Sequence, residues 1–168
     1  MNSKTFFVFA WVKITIISSL ICLFAQDMHR YDFDLLSIEL PENWNIIFPE
    51  DEYGLFDAKD INEFRYVVAS KEKIGEVSLE ELFQKFIYNE DILLHNGSIL
   101  DSGSAEIDGN PSKWVIHYQE VYNKKIVSIN FILIHQNHQI IIGGYAREDI
   151  FDQNKEFFNR LVSSIKLK

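Results

Sequence analysis

Between Ser98 and Tyr145 the sequence runs through four consecutive strand-like stretches joined by short polar reversals. The stretches are Ser98–Ile107, Lys113–Tyr122, Ile126–His135 and Gln139–Tyr145. Asp108-Gly109 is a strong hairpin signal, because both central positions tolerate positive φ. Asn123-Lys124 and Gln136-Asn137 mark two further reversals. Joins this short permit antiparallel neighbours, whereas parallel pairing needs a long crossover. The third stretch places Val127, Ile129, Phe131 and Leu133 on one face. Ile126, Ser128, Asn130, Ile132 and Ile134 form the other, polar in its middle and apolar at both ends. A sheet of this kind needs cover on much of both sides.

Two amphipathic segments can supply that cover. Ser78 and Glu81 have the spacing of a capping box, with Val77 and Leu82 placed for a hydrophobic staple. Leu79, Leu82, Phe83, Phe86 and Ile87 then recur on one helical face, with Glu80, Glu81, Gln84 and Lys85 on the other. Near the C-terminus Phe157, Phe158, Leu161, Val162 and Ile165 fit a second stripe. Asp149 or Asp152 is its expected cap, and Lys166 and Lys168 are expected to complement the helix dipole at its far end. Ahead of the first helix, Leu36–Leu40 reads as a strand stopped by Pro41, and Trp44–Phe48 as a second extended run before Pro49. Tyr53–Ala58 and Phe64–Ser70 read as a pair, the latter with Phe64, Tyr66 and Val68 facing inward. The fold class is therefore α+β: an αβα sandwich with a central antiparallel meander and helices packed on it.

The first 25 residues differ from the rest. Lys4 and Lys13 are their only charges, and Ile14 to Ala25 is an uncharged, mostly apolar run. That run is shorter than the roughly 20 residues a bilayer span needs, and reaching back to Phe6 puts Lys13 near the middle, at a cost of roughly 2.5–3.5 kcal/mol. The pattern reads as a signal peptide, 1–25, cleaved after Ala25. The alternatives are lipidation at Cys22, where Ile21 stands in place of the small residue that processing wants, or an uncleaved N-terminal membrane anchor. Residues 26–34 read as a flexible lead-in and 35–168 as one domain. Losing Lys4 and Lys13 moves the formal charge from −9 to −11 and removes the only cysteine, so the exported chain has no disulfide and relies on packing. With 47% apolar and 14% aromatic residues it has the material to do so. So acidic a domain argues against nucleic acid and anionic membrane surfaces as partners.

Three groups of residues resemble a known family. Ser37-Ile38-Glu39-Leu40-Pro41-Glu42-Asn43-Trp44 is similar to the "sIxLPxxW" opening of PsbP-like proteins. Ile107-Asp108-Gly109-Asn110-Pro111-Ser112-Lys113-Trp114 resembles their central "I-x-G-x-P-a-x" turn and strand, and Phe157-Phe158 through Val162-Ser163-Ser164-Ile165 their closing helix. The match runs from about residue 36 to 167. It implies the same αβα sandwich. The superfamily includes subunits of the photosynthetic water-oxidising complex, a Ran-binding import factor and exported bacterial proteins of unknown role. The resemblance therefore implies a non-catalytic accessory or protein-binding module. The amino-terminal extension of the photosystem members has no match in this chain.

The residue types that carry chemistry do not form a motif. The histidines are His29, His95, His117, His135 and His138. His135 and His138 flank one reversal and could face each other, yet a metal wants a third ligand. His117 lies in a strand, facing a covering helix or the solvent edge, with no orienting carboxylate at a diagnostic spacing. There is no G-x-S-x-G elbow and no phosphate-binding loop. Gly143-Gly144 reads as a close approach or bulge. Glu50-Asp51-Glu52 and Asp57, Asp60 and Glu63 lack calcium-loop spacing and read as a solvated charged face. Trp44 and Trp114 read as core pillars within strands. The sequence thus assigns no catalytic, cofactor or metal residues and leaves oligomeric state open. It points to an exported, secreted or periplasmic, non-catalytic accessory protein that binds an envelope or extracellular protein and meets membrane only through its signal segment. The alternative is a small-molecule carrier or enzyme with a non-contiguous cleft site gathering His117, a carboxylate and Tyr118 or Tyr145.

Overall fold

The structure, a computed structural model, describes residues 27–60, 65–88, 97–121 and 124–168. The segment 1–25 with Cys22, and also Glu63, Phe64, His95 and Asn123, lie outside them. Among the described residues, ten strands and two helices follow in chain order: β1 (Met28–Asp32), β2 (Leu36–Pro41), β3 (Asn45–Ile47), β4 (Gly54–Lys59), β5 (Arg65–Lys73), α1 (Leu79–Ile87), β6 (Ser98–Ile107), β7 (Asn110–Val121), β8 (Lys124–His135), β9 (His138–Arg147), α2 (Glu148–Ser163) and β10 (Lys166–Leu167). A seven-stranded sheet has the order β3-β4-β5-β9-β8-β7-β6, and a three-stranded one the order β1-β2-β10. Every pairing is antiparallel.

The expected meander β6–β9 is present. Asp108 and Gly109 both take positive φ (48° and 79°), as do Gln136 and Asn137 (48° and 58°). These are the two-residue reversals whose twist suits a hairpin. Alternation along β8 then divides the molecule into layers. Val127, Ile129, Phe131 and Leu133 join the main core with β2 and α2, whereas Ile132 joins a second cluster with Leu82 and Phe83 of α1. The helices therefore cover opposite faces of the large sheet, and the small sheet shares the α2 side.

Helix α1 starts as its sequence dictates. Ser78 Oγ accepts from Glu81 N at 3.2 Å, and Glu81 Oε2 accepts from Ser78 N at 2.8 Å. Val77, Leu79, Phe86 and Ile87 pack around the buried Leu82 and Phe83. The two glycines of β9 are close-approach sites, as expected, one on each face of the sheet. A Cβ on Gly144 would meet Phe158 of α2 at 2.8 Å, and one on Gly143 would meet Asn130 Oδ1 at 2.6 Å. Trp44 is buried against Phe157, with ring centroids 5.6 Å apart, and Trp114 packs on the same core.

Five expectations are corrected. The stretch read as a lead-in supplies β1, which pairs with β2 along five residues, because Arg30 crosses to Ser37 and Glu39 and Tyr31 packs on the core. In β5 the inward residues are Val67 and Ala69, not Tyr66 and Val68. Arg65 shares their face because its guanidinium lies over Phe157 (4.7 Å) and Trp44 (5.5 Å) and pairs with Asp60. Trp44 itself sits in the turn before β3 rather than in a strand, its amide donating to Pro41 O. Helix α2 has no side-chain cap: β9 runs straight into it at Arg147, whose guanidinium takes Asp149 at 2.8–3.0 Å. Finally, the tail lysines do not serve the helix dipole. Lys166 reaches Asp108, Lys168 reaches Phe33 O and Asp32, and it is Arg30 that donates to Ser164 O at the end of α2.

Candidate functional site

Polar residues in the middle of a sheet face are the first place to look for chemistry, since burial of such groups demands partners. On the α1 side Ser128, Asn130 and His117 are all buried. Register sets Ser128 opposite His117 on β7 and Tyr145 on β9. Tyr66 on β5 pairs with Tyr145, their rings 5.9 Å apart. Asn130 joins these groups. Its Nδ2 donates to His117 Nε2 (3.0 Å) and Ser128 Oγ (3.1 Å), and its Oδ1 accepts from Tyr145 OH at 3.4 Å. The far end is Asp57 of β4, whose carboxylate acts on the Tyr66 phenol. A polar belt thus crosses five strands, from β7 to β4.

The belt's electrostatics favour neutral groups. Burial holds the His117 imidazole below its ordinary value. Burial raises the Tyr66 phenol, with the Asp57 carboxylate adding to the effect, and the same two causes raise Tyr145. At neutral pH the ring of His117 is uncharged and both tyrosines are phenols. Phe86 of α1 lies edge-on to His117 at 6.4 Å, so the imidazole faces the covering helix. The Asp57 carboxylate acts on the two tyrosines, not on the imidazole. The arrangement can relay hydrogen-bond polarity along the sheet and hold five strands in register.

The remaining candidates separate. Tyr118 faces the opposite side and packs on the main core, so it does not join His117. A small void of about 10 Å³, lined by Ile38, Val67, Ile129, Phe131, Gly144 and Phe158 among others, lies on the α2 side. It has room for about one water and is almost wholly apolar. His135 and His138 are cross-strand partners, but His135 Nε2 bonds Lys168 O (2.7 Å) and His138 Nδ1 bonds Gln136 O (2.8 Å). Among the described residues no three His, Cys, Asp or Glu side chains gather as a metal would require. The acidic residues divide. Glu50, Asp51 and Glu52 are exposed, as expected, whereas Asp60 is buried in an ion pair with Arg65 at 3.1 Å. Among the described residues no helix is long and apolar enough to cross a membrane.

Sequence reasoning missed two features. One is the belt, for which the polar middle of β8 was the available signal. The other is a set of exposed large apolar residues at the edges of the large sheet: Ile47, Phe48 and Tyr53 at the β3 edge, Ile99 and Leu100 on β6, and Tyr88 after α1. Burial of neighbours, not pattern, distinguishes these from core residues.

No protein-family profile matches the sequence, and no curated protein is similar to it. Solved structures are. Cyanobacterial PsbP (CyanoP) from Synechocystis sp. PCC 6803 superposes with a TM-score of 0.67 over 85% of this chain and 94% of its own, at 13% identity. LpqN of Mycobacterium tuberculosis, described as involved in cell envelope biogenesis, gives 0.61 over 86% and 92%, at 12% identity. The Ran-binding protein Mog1p of Saccharomyces cerevisiae gives 0.61 over 85% and 96%, at 7% identity. The chain has the PsbP-like fold that its motifs imply.

Proposed function

We propose that this chain is an exported, non-catalytic binding protein of the cell envelope, one domain that includes β1, behind a signal peptide that ends at Ala25. One observation carries the reading. Six large apolar side chains, between 45% and 71% exposed, stand at the edges of the large sheet or just beyond α1, while the His117–Asn130–Tyr145 groups that chemistry would need are turned toward one another. Exposed apolar side chains that come in neighbouring groups, as Ile47 with Phe48 and Ile99 with Leu100 do, suit contact surfaces. Two of the similar structures are described in terms of envelope biogenesis and Ran binding, which supports a binding role in kind.

Site-specific photo-crosslinking of the chain in its own cells is the test, with the reactive group placed at Phe48, Ile99 or, as a control, Lys155. A discrete protein adduct at an edge position but not at Lys155 is expected, together with an N-terminus at Gln26 by mass spectrometry. A small molecule that co-purifies with the chain and is lost in His117→Phe would instead favour a carrier or enzyme.

A further inference from the structure

The β3 edge carries a loop with more construction than a surface connection needs. Asp51 Oδ1 accepts from both Tyr53 N (2.9 Å) and Gly54 N (2.7 Å), which fixes the turn. A Cβ on Gly54 would fall 2.3 Å from Pro49 Cβ, so the two ends of the loop touch. Phe48 and Tyr53 flank that contact and are brought to the same neck. Tyr53 O in turn accepts from Lys71 N, which fastens the neck to β5, and Phe48 rests on the buried Phe33 with ring centroids 5.5 Å apart. Despite this support Phe48 is 62% exposed and Tyr53 56%. Two aromatic side chains thus stand in water on a loop whose backbone is fastened at its neck.

The charges on the loop itself carry one sign, although Lys71 and Lys73 lie on the adjoining end of β5. Glu50, Asp51 and Glu52 are exposed on the loop, and Glu72 is exposed on the adjoining end of β5. Lys71, the cation of that strand nearest the neck, is taken by Asp34. Resting on the binding reading above, we propose that the loop of residues 48–53 docks a basic segment of a partner protein, with an apolar side chain against Phe48 and Tyr53 and flanking Lys or Arg facing the carboxylates. A preformed loop spares the ordering cost of binding, and the aromatic pair is the sort of anchor that dominates small interfaces. The carboxylates repel an anionic lipid surface, and they would oppose one another in a second copy placed face to face.

The test uses the purified full-length chain, labelled for amide NMR. The probe is a synthetic peptide with a central phenylalanine between paired Lys and Arg residues; its counterpart with Glu in those places and phosphatidylglycerol vesicles are the comparisons. Shifts confined to residues 47–54 and 71–73 are expected for the basic peptide. Its affinity should fall at least about tenfold between roughly 0.02 and 0.3 M salt, as screening removes the charge contribution. Phe48→Ser with Tyr53→Ser should weaken it by about tenfold, as loss of aromatic anchors does. The exposed pair Glu50→Lys with Glu52→Lys should do the same, with an unchanged spectrum elsewhere showing an intact fold. The proposal is overturned by shifts centred away from the loop, by equal binding of the Glu peptide, by tighter binding to vesicles, or by concentration-dependent dimers whose contacts map to Phe48. If in-cell crosslinks form at Ile99 while the basic peptide leaves the loop unperturbed, the binding role stands and this surface falls.

Discussion

The side-chain amide of Asn130 donates to Nε2 of His117 across 3.0 Å, and this contact fixes which imidazole nitrogen carries the proton. An amide nitrogen can only donate, so Nε2 accepts and the neutral ring is protonated at Nδ1. Tyr145 and Ser128 hold the amide in that orientation from its other sides. A protonated imidazole would bring two donors face to face inside the layer between α1 and the sheet.

The first prediction follows from the direction of the His117 shift, which burial sets downward. A base whose folded value lies below its unfolded value, about 6.5, stabilises the fold fully above that pH. The contribution is lost as pH falls from about 6.5 toward the folded value, because the unfolded chain takes up the proton first. The urea midpoint should therefore decline on acidification from about pH 7.5 to 5.5, and His117→Phe should flatten that decline. An NMR titration of His117 with a midpoint at or above about 6.5 would refute the direction.

The glycines of β9 give a graded prediction. Gly144→Ala places a methyl group 2.8 Å from the Phe158 ring, and both sheet and helix must give; overpacking of this kind costs about 1–3 kcal/mol. Gly109→Ala meets nothing within 4 Å but stands at a φ of 79°, where an L-residue costs about 1 kcal/mol. Gly75→Ala meets no neighbour within 4 Å and takes no such φ, so it should be near neutral. Urea unfolding of the three variants should rank them in that order, and Gly144→Ala at wild-type stability would contradict the packing of α2 on β9.

Most of this architecture was legible because its signals are local. Ser78 with Glu81 specified the start of α1, and Asp108-Gly109 and Gln136-Asn137 specified two hairpins, since each needs only neighbours in sequence. The face of β5 was misread because Arg65 looks like a solvent residue until Phe157 and Trp44, far away in sequence, supply the rings it covers. For the same reason β1 was missed: its pairing rests on Arg30 bridging Glu39 and Ser164, contacts no short window contains. The polar belt was half legible. Ser128 and Asn130 announced a polar centre in β8, but only strand order brings Tyr66 and Asp57 into line with it.

Asp60 and Arg65 form a buried pair, with side chains 6% and 12% exposed. Removing one partner deprives the other charge of this bond, at a cost of up to about 3–5 kcal/mol for a well-buried pair. Asp60→Asn should destabilise by an amount toward the lower end of that range, because Arg65 keeps its place over Phe157 and Trp44. Arg65→Met keeps the aliphatic cover but leaves Asp60 without this guanidinium. The double variant should be less destabilised than the two single effects added, and strict additivity in a urea double-mutant cycle would show that the pair is not coupled.

Asp108 does two things at once. It takes a φ of 48° in the β6–β7 turn, and its carboxylate receives Lys166 Nζ (2.8 Å) and Leu167 N (2.9 Å), tying the hairpin tip to β10. Those bonds, the Lys166 contact foremost, hold the carboxyl below its ordinary value. An acid with a lowered folded value stabilises above its unfolded pKa, about 3.9, and the contribution disappears as pH falls through the folded value. The tie should therefore be intact at neutral pH and open in strong acid. Asp108→Asn keeps a residue that tolerates positive φ but removes the charge. It should leave the β6–β7 turn in place while speeding amide exchange at Leu167, whose N–H then has a weaker acceptor. Asp108→Ala loses both, so exchange should quicken at Leu167 and also across the Ile107–Asn110 end of the hairpin. If Asp108→Asn left Leu167 exchange unchanged, the tail would be held by its pairing with β2 and the contacts of Lys168, not by Asp108.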